Sequence, residues 1–125
     1  MIPVADLRFS ATAQADIIEI LAQTQERFGT EARLRYQRLI VTALRDVAAE
    51  PRRPGSLDRP ELGENLRSYH LRHSRDRARH ESGIVRRPRH LLLYRLTLPT
   101  IIGIGRVLHD AMEIERHLPT VYGDE

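Results

Sequence analysis

The sequence predicts an α+β fold, an N-terminal two-helix hairpin packed on a small antiparallel sheet in the order β-α-α-β-β-β-α. Three observations carry this reading. Two apolar runs, residues 90–97 and 100–108, are separated only by Leu98 and Pro99 and read as a β-hairpin. Upstream, two stretches of helical period are separated by Gly29. The chain opens on an alternating segment, with Ala5, Leu7 and Phe9 on one side and Asp6 and Arg8 on the other.

Residues 4–9 are therefore expected to form a short, half-buried strand. Ser10 is a plausible N-cap for the first helix, since its hydroxyl can accept from an amide of the first turn. Ala15, Ile18 and Ala22 with Ile17, Leu21 and Phe28 are read as one wide apolar stripe. Gly29 closes this helix, and Thr30 is expected to cap the next, where Ala32, Tyr36, Leu39, Ala43 and Val47 recur at steps of three and four. Pro51 ends it, and Pro54, Gly55, Pro60 and Gly63 mark an irregular connection. Residues 66–73 read as a strand. Residues 74–89, an Arg-rich insertion or loop, are expected to be too polar to pack and therefore mobile. After the hairpin, Asp110 and Glu113 form a D-x-x-E capping box for a short helix that Pro119 stops, leaving 119–125 as a frayed tail.

At 125 residues, 1–125 is expected to be a single domain, and no apolar run is long enough for a membrane span. Residues 1–5 do not resemble a secretory leader. The absence of cysteine excludes disulfides and thiolate chemistry, which agrees with a cytoplasmic location. All 20 basic residues are arginine, so lysine-based catalysis is excluded. A GC-rich coding sequence also produces an all-arginine composition, but not its clustering. Residues 66–95 hold nine arginines against Asp76 and Glu81, a balance of +7 within a chain whose net charge is +3. Such asymmetry marks a surface that meets something anionic, either nucleic acid or an acidic protein. The residues expected to form it are Arg67, Tyr69, Arg72, Arg75, Arg77, Arg79, Arg86, Arg87, Arg89, Arg95, Arg106 and His109.

No cofactor is expected. His70 and His73 fall on opposite faces of a strand with no cysteine to complete a metal site. Ser68 and Ser74 lie near histidines but lack a nucleophile elbow. The chemistry these side chains do allow is acid–base work on a phosphodiester: Arg67, Arg95 and Arg106 to stabilise developing charge, His109 to move a proton, Tyr69 and Tyr94 to stack bases. The competing reading is that these groups are solvated or paired with acidic neighbours. Gly103 and Gly105 share a strand face and leave it bare, so that either another segment of the chain or a partner approaches closely there.

Five local patterns, taken in order, resemble the ParE branch of the RelE/ParE toxins: Ala-x-x-Asp-Ile-x-x-Ile over residues 13–20, Glu26-Arg-Phe-Gly29, Leu66-Arg-Ser68, Tyr94-Arg95 and Arg106-Val-Leu-His109. The resemblance runs from about Leu7 to Leu118. It implies the toxic half of a type II toxin-antitoxin pair that causes growth arrest and contributes to plasmid stabilisation. It further implies a ParD-like antitoxin as partner, DNA gyrase as target, and operator DNA contacted only through the antitoxin complex. Action is then by binding rather than covalent chemistry. RelE-like relatives are instead ribosome-dependent mRNA endoribonucleases, for which Arg67, Arg95, Arg106 and His109 would be the catalytic set. That activity is usually associated with lysines and a C-terminal tyrosine, whereas this chain has no lysine and its Tyr122 falls beyond Pro119. A non-toxic nucleic-acid-binding module remains a third reading of the arginine cluster.

Overall fold

The computed structural model describes residues 4–125; residues 1–3, part of the stretch read as lacking a leader, lie outside the described residues. A strand β1 (Asp6–Phe9) leads into helices α1 (Ala11–Phe28) and α2 (Thr30–Ala49). Strands β2 (Ser56–Asp58), β3 (Leu66–His70), β4 (His90–Leu98) and β5 (Ile101–His109) follow, with 3-10 helices at Leu71–Arg77 and Ile114–Arg116. The five strands form one sheet in the order β1-β5-β4-β3-β2. The α+β class and the helical hairpin preceding the strands agree with the sequence reading. The sheet is mixed rather than wholly antiparallel, because β1 runs parallel to β5, with Leu7 opposite Ile102 and Phe9 opposite Ile104.

Ser10 caps α1 by accepting from the Ala13 amide at 2.9 Å. Its hydroxyl also donates to the Gly105 carbonyl at 2.7 Å, which ties the start of α1 to the middle of β5. Gly29, at φ +95, alone separates the two helices, so it both ends α1 and serves as N-cap of α2 in place of Thr30. The stripe of α2 buries from Tyr36 onward, with Ile40 and Ala48 added, while Ala32 is only half-buried and lines a cleft. The stripe of α1 is phased differently from expectation. Ala13, Ile17, Ile20 and Leu21 face the core, while Ile18 is 70% and Phe28 74% exposed. With apolar residues at both Ile17 and Ile18, sequence spacing alone could not fix the phase.

Each sheet face has its own apolar cluster. Under the helices lie Tyr69, Leu92, Tyr94, Ile102, Ile104 and Val107 with Ala13, Ile20, Tyr36, Leu39 and Val47. The other face buries Leu66, Leu93 and Leu108 beneath Ile114, Tyr122 and Leu62. The C-terminal segment is therefore no frayed tail: Tyr122 is only 5% exposed. It lies on the strip that Gly103 and Gly105 leave bare, where a Cβ on Gly105 would stand 2.5 Å from the Tyr122 ring and one on Gly103 would stand 2.8 Å from its backbone oxygen.

Four further expectations are corrected. The irregular connection contains β2, which pairs Ser56 with Tyr69 and Asp58 with Arg67; three residues among prolines and glycines carry too little pattern to be read. β3 stops at His70, where the His70 side chain accepts from the Arg72 amide and turns the chain into the 3-10 helix. The Arg-rich segment packs: Leu71, Ser74 and Ala78 are buried against α2, and Val85 abuts the same core. The D-x-x-E box makes only a 3-10 turn, because the Asp110 carboxylate accepts from His70 at 2.9 Å instead of capping.

Overpacking a filled strip of this kind costs about 1–3 kcal/mol. Gly105→Val is therefore expected to lower stability by about 2 kcal/mol in urea unfolding, whereas Gly83→Ala, with open space around it, should cost only its backbone strain at φ +121.

Candidate functional site

The four residues read as a catalytic set do not converge. Arg67 projects to the α2 side, where its Nε donates to Ser56 Oγ at 2.8 Å beside the buried Tyr94 hydroxyl. Arg95 belongs to the opposite face. There its guanidinium donates to both Asp124 oxygens and to Glu125, and lies 4.5 Å from the centre of the Tyr122 ring. Hydrogen bonding to Asp124, and then to Glu125, drives the Arg95 pKa upward, while the Arg95 guanidinium holds the Asp124 carboxyl, and the Tyr122 backbone amide the Glu125 carboxyl, below the usual carboxylate range. Arg106 forms a two-pronged pair with Asp16 of α1, at 2.8 and 3.0 Å, and also donates to the His117 carbonyl. His109 lies at the far end of β5, opposite His90. All four therefore have internal partners, His109 through the Ala111 amide that donates to its Nδ1, and the arginines occupy different faces.

The tyrosines expected to stack bases are buried. Tyr69 is paired with Ser74, whose hydroxyl donates to Asp46 at 2.5 Å, and Tyr94 donates to the Pro51 carbonyl at 2.6 Å. Asp46, only 7% exposed, also receives Arg77 and lies 3.5 Å from Arg53, so Arg77 is spent on anchoring the Arg-rich segment to α2. Arg75 donates to the Arg86 carbonyl, which folds that segment onto itself. Arg72, Arg79, Arg86, Arg87 and Arg89 remain exposed. The cationic surface is real but smaller than the sequence count, because neutralising carboxylates lie far away in the chain.

Of these exposed arginines, Arg79, Arg86, Arg87 and Arg89 fall beside two clefts at the tip of the helical hairpin, and Arg72 beside neither. The larger, about 950 Å³, has Phe28, Ala32, Ile84 and Val85 as its apolar lining and Arg35, Arg79, Arg86 and Arg87 as its cationic lining. The smaller, about 350 Å³, is bounded by the ends of α1 and β5 and contains Tyr36, His90 and His109. Tyr36 Oη and His90 Nδ1 are 2.6 Å apart, His90 and His109 meet edge to face with ring centres 5.3 Å apart, and His70 pairs with Asp110. Burial raises the Tyr36 pKa to about 12. The His70 hydrogen bond holds the Asp110 carboxyl below its usual range. Sequence reasoning missed this grouping and the anchoring carboxylates Asp16 and Asp46. Asp16 did carry a signal, as a charged residue next to the buried phase of α1; His90 carried none beyond opening an apolar run.

Burial, reinforced by the neighbouring His109 charge, lowers the His90 pKa from 6.5 to about 4. The unfolded chain therefore holds the extra proton between those values, and this contribution to stability is present at pH 7 and fades as the pH falls toward 4. The urea midpoint is expected to drop between pH 7 and pH 4.5, and His90→Gln should make that drop shallower.

A family model described as the ParE toxin of the type II toxin-antitoxin system, parDE, matches residues 7–114. No curated protein matches the chain.

Proposed function

This chain belongs to the ParE toxin family, the toxin side of a type II toxin-antitoxin system, and from that premise we propose that it binds and inhibits DNA gyrase in the cytoplasm and is neutralised by a ParD-like antitoxin. The single observation that carries action by binding is the engagement of its strand arginines. A nuclease needs cationic groups free to follow charge developing on a phosphodiester. Here Arg95 is held by Asp124 and Glu125, and Arg106 by Asp16. Releasing either would leave a carboxylate unpaired.

The larger cleft supports the antitoxin half of the reading. An apolar floor that includes Phe28 and Val85, bordered by Arg35, Arg79, Arg86 and Arg87, fits an amphipathic segment with acidic flanks. Apolar contact would supply affinity, and the exposed charges would steer the encounter and fix its register. Opposite charges at an exposed surface attract less as salt rises, because the Debye length falls to about 8 Å at physiological ionic strength.

Purified gyrase incubated with this protein is expected to lose supercoiling activity and accumulate linear plasmid. Unaffected gyrase, from a protein that still arrests growth, would overturn the reading in favour of messenger cleavage on the ribosome. For the antitoxin surface, the double variant Arg79→Glu with Arg86→Glu should keep the fold and weaken antitoxin binding at least about tenfold at low salt, chiefly through a slower association rate.

A further inference from the structure

The smaller cleft shares Phe28, Val85 and Arg87 with the larger one, but its Arg27, Arg89, His90 and His109 are used by neither the gyrase nor the antitoxin reading. Arg27, Arg87 and Arg89 line it together with Tyr36, His90 and His109, and no Asp or Glu does. Among the described residues none of the three guanidinium groups has a hydrogen-bonding or ion-pair partner; the bonds involving Arg89 are made by its backbone, whose amide donates to Tyr36 Oη at 3.1 Å and whose carbonyl accepts from the Asp110 amide at 2.8 Å. This contrasts with Arg67, Arg77, Arg95 and Arg106, all of which are engaged internally. Three guanidinium groups around one concavity repel one another, and Asp110, whose carboxylate feels the Arg89 charge, is already hydrogen-bonded to His70.

The imidazoles add to the same polarity. Tyr36 Oη accepts from the Arg89 amide and shares a 2.6 Å hydrogen bond with His90 Nδ1. The Ala111 amide donates to His109 Nδ1 at 3.0 Å, which leaves the neutral His109 ring with its proton on Nε2 as a donor. The polar lining comes from α1, α2, the segment before β4, and the facing ends of β4 and β5.

The remaining wall is apolar. Ile20, Val85 and Phe28 line it, and the Phe28 ring is 74% exposed at the end of α1. A large aromatic left in water beside a cationic cleft is suited to stacking against a planar ring. The volume, about 350 Å³, lies at the lower end of the range for small-molecule sites.

We propose that this cleft binds a nucleoside monophosphate, with its phosphate held by Arg27, Arg87, Arg89 and the His109 N–H, and its base against Phe28. Guanidinium groups suit the phosphate because their paired N–H groups match its oxygens two at a time. The site is a binding site only. No bond is made or broken, and its occupancy is independent of whether gyrase is the target.

The test is calorimetric titration of the full chain at pH 7 and low salt with adenosine 5′-monophosphate, adenosine and inorganic phosphate. Saturable one-to-one binding of the nucleotide is expected, with inorganic phosphate weaker and adenosine weaker still. Arg27→Gln with Arg87→Gln should reduce nucleotide affinity at least about tenfold, as expected for lost charge-assisted hydrogen bonds. Phe28→Ala should narrow the gap between nucleotide and phosphate. Arg52→Gln, in the turn beyond α2 and outside the cleft, should change nothing, and circular dichroism checks that every variant is folded. The proposal is overturned by absence of saturable nucleotide binding, by binding that survives the double substitution, by an equal loss in Arg52→Gln, or by adenosine or phosphate binding as tightly as the nucleotide.

Discussion

Gly105 is where the layers of this fold meet, and most of the architecture follows from what that residue lacks. It falls between two registers of the β4–β5 ladder, Tyr94 opposite Ile104 and Leu93 opposite Arg106, so it has no partner across the strand pair. Its carbonyl is thereby free to accept the Ser10 hydroxyl, which fixes the start of α1 on the sheet. Its missing side chain leaves room for the Tyr122 ring on the other face. The next residue, Arg106, meets Asp16, and that same carboxylate accepts from the Val107 amide at 2.9 Å. One bulge thus couples both layers that cover the sheet.

Charge is arranged by the same economy. Acidic groups distant in sequence neutralise arginines one by one: Asp16 for Arg106 of β5, Asp46 for Arg77 of the 3-10 helix, Asp124 and Glu125 for Arg95 of β4. Buried or half-buried pairs of this kind give specificity of position more than net stability, since desolvation offsets much of their attraction. They determine where the molecule is not cationic. Of the arginines left without carboxylates, Arg27, Arg35, Arg79, Arg86, Arg87 and Arg89 line the two clefts at the tip of the helical hairpin.

Much of the fold was legible because its signals were local. Helix period, the single glycine between two stripes, and a two-residue turn between apolar runs each occupy a short window, and each survives in the structure. What was not legible depended on residues far apart. The parallel pairing of β1 needs β5 to be in place, and β2 needs β3. Tyr122 looked like a tail residue because nothing near it in sequence reveals that Gly103 and Gly105 await it. Ile18 and Phe28 could not be assigned to solvent without knowing which side of α1 the sheet would occupy. For the candidate site, residue types were readable while their grouping was not. His109 was singled out as an acid–base group, but its neighbour His90 and the phenol of Tyr36, 54 residues earlier, join it only through the sheet register.

The parallel contact between β1 and β5 sets an order of events during synthesis. Ser10 and its acceptor on Gly105 are 95 residues apart, and β1 has no other strand to pair with among the described elements. At roughly 5–20 residues per second, the edge of β1 waits about 5–20 s on the ribosome before its neighbour exists. During that interval the helical hairpin can form from contacts within itself, while the sheet and everything mounted on it cannot. The nascent protein therefore passes directly from an incomplete surface to a finished one, and whatever neutralises it needs to be present by the time the last strand is released.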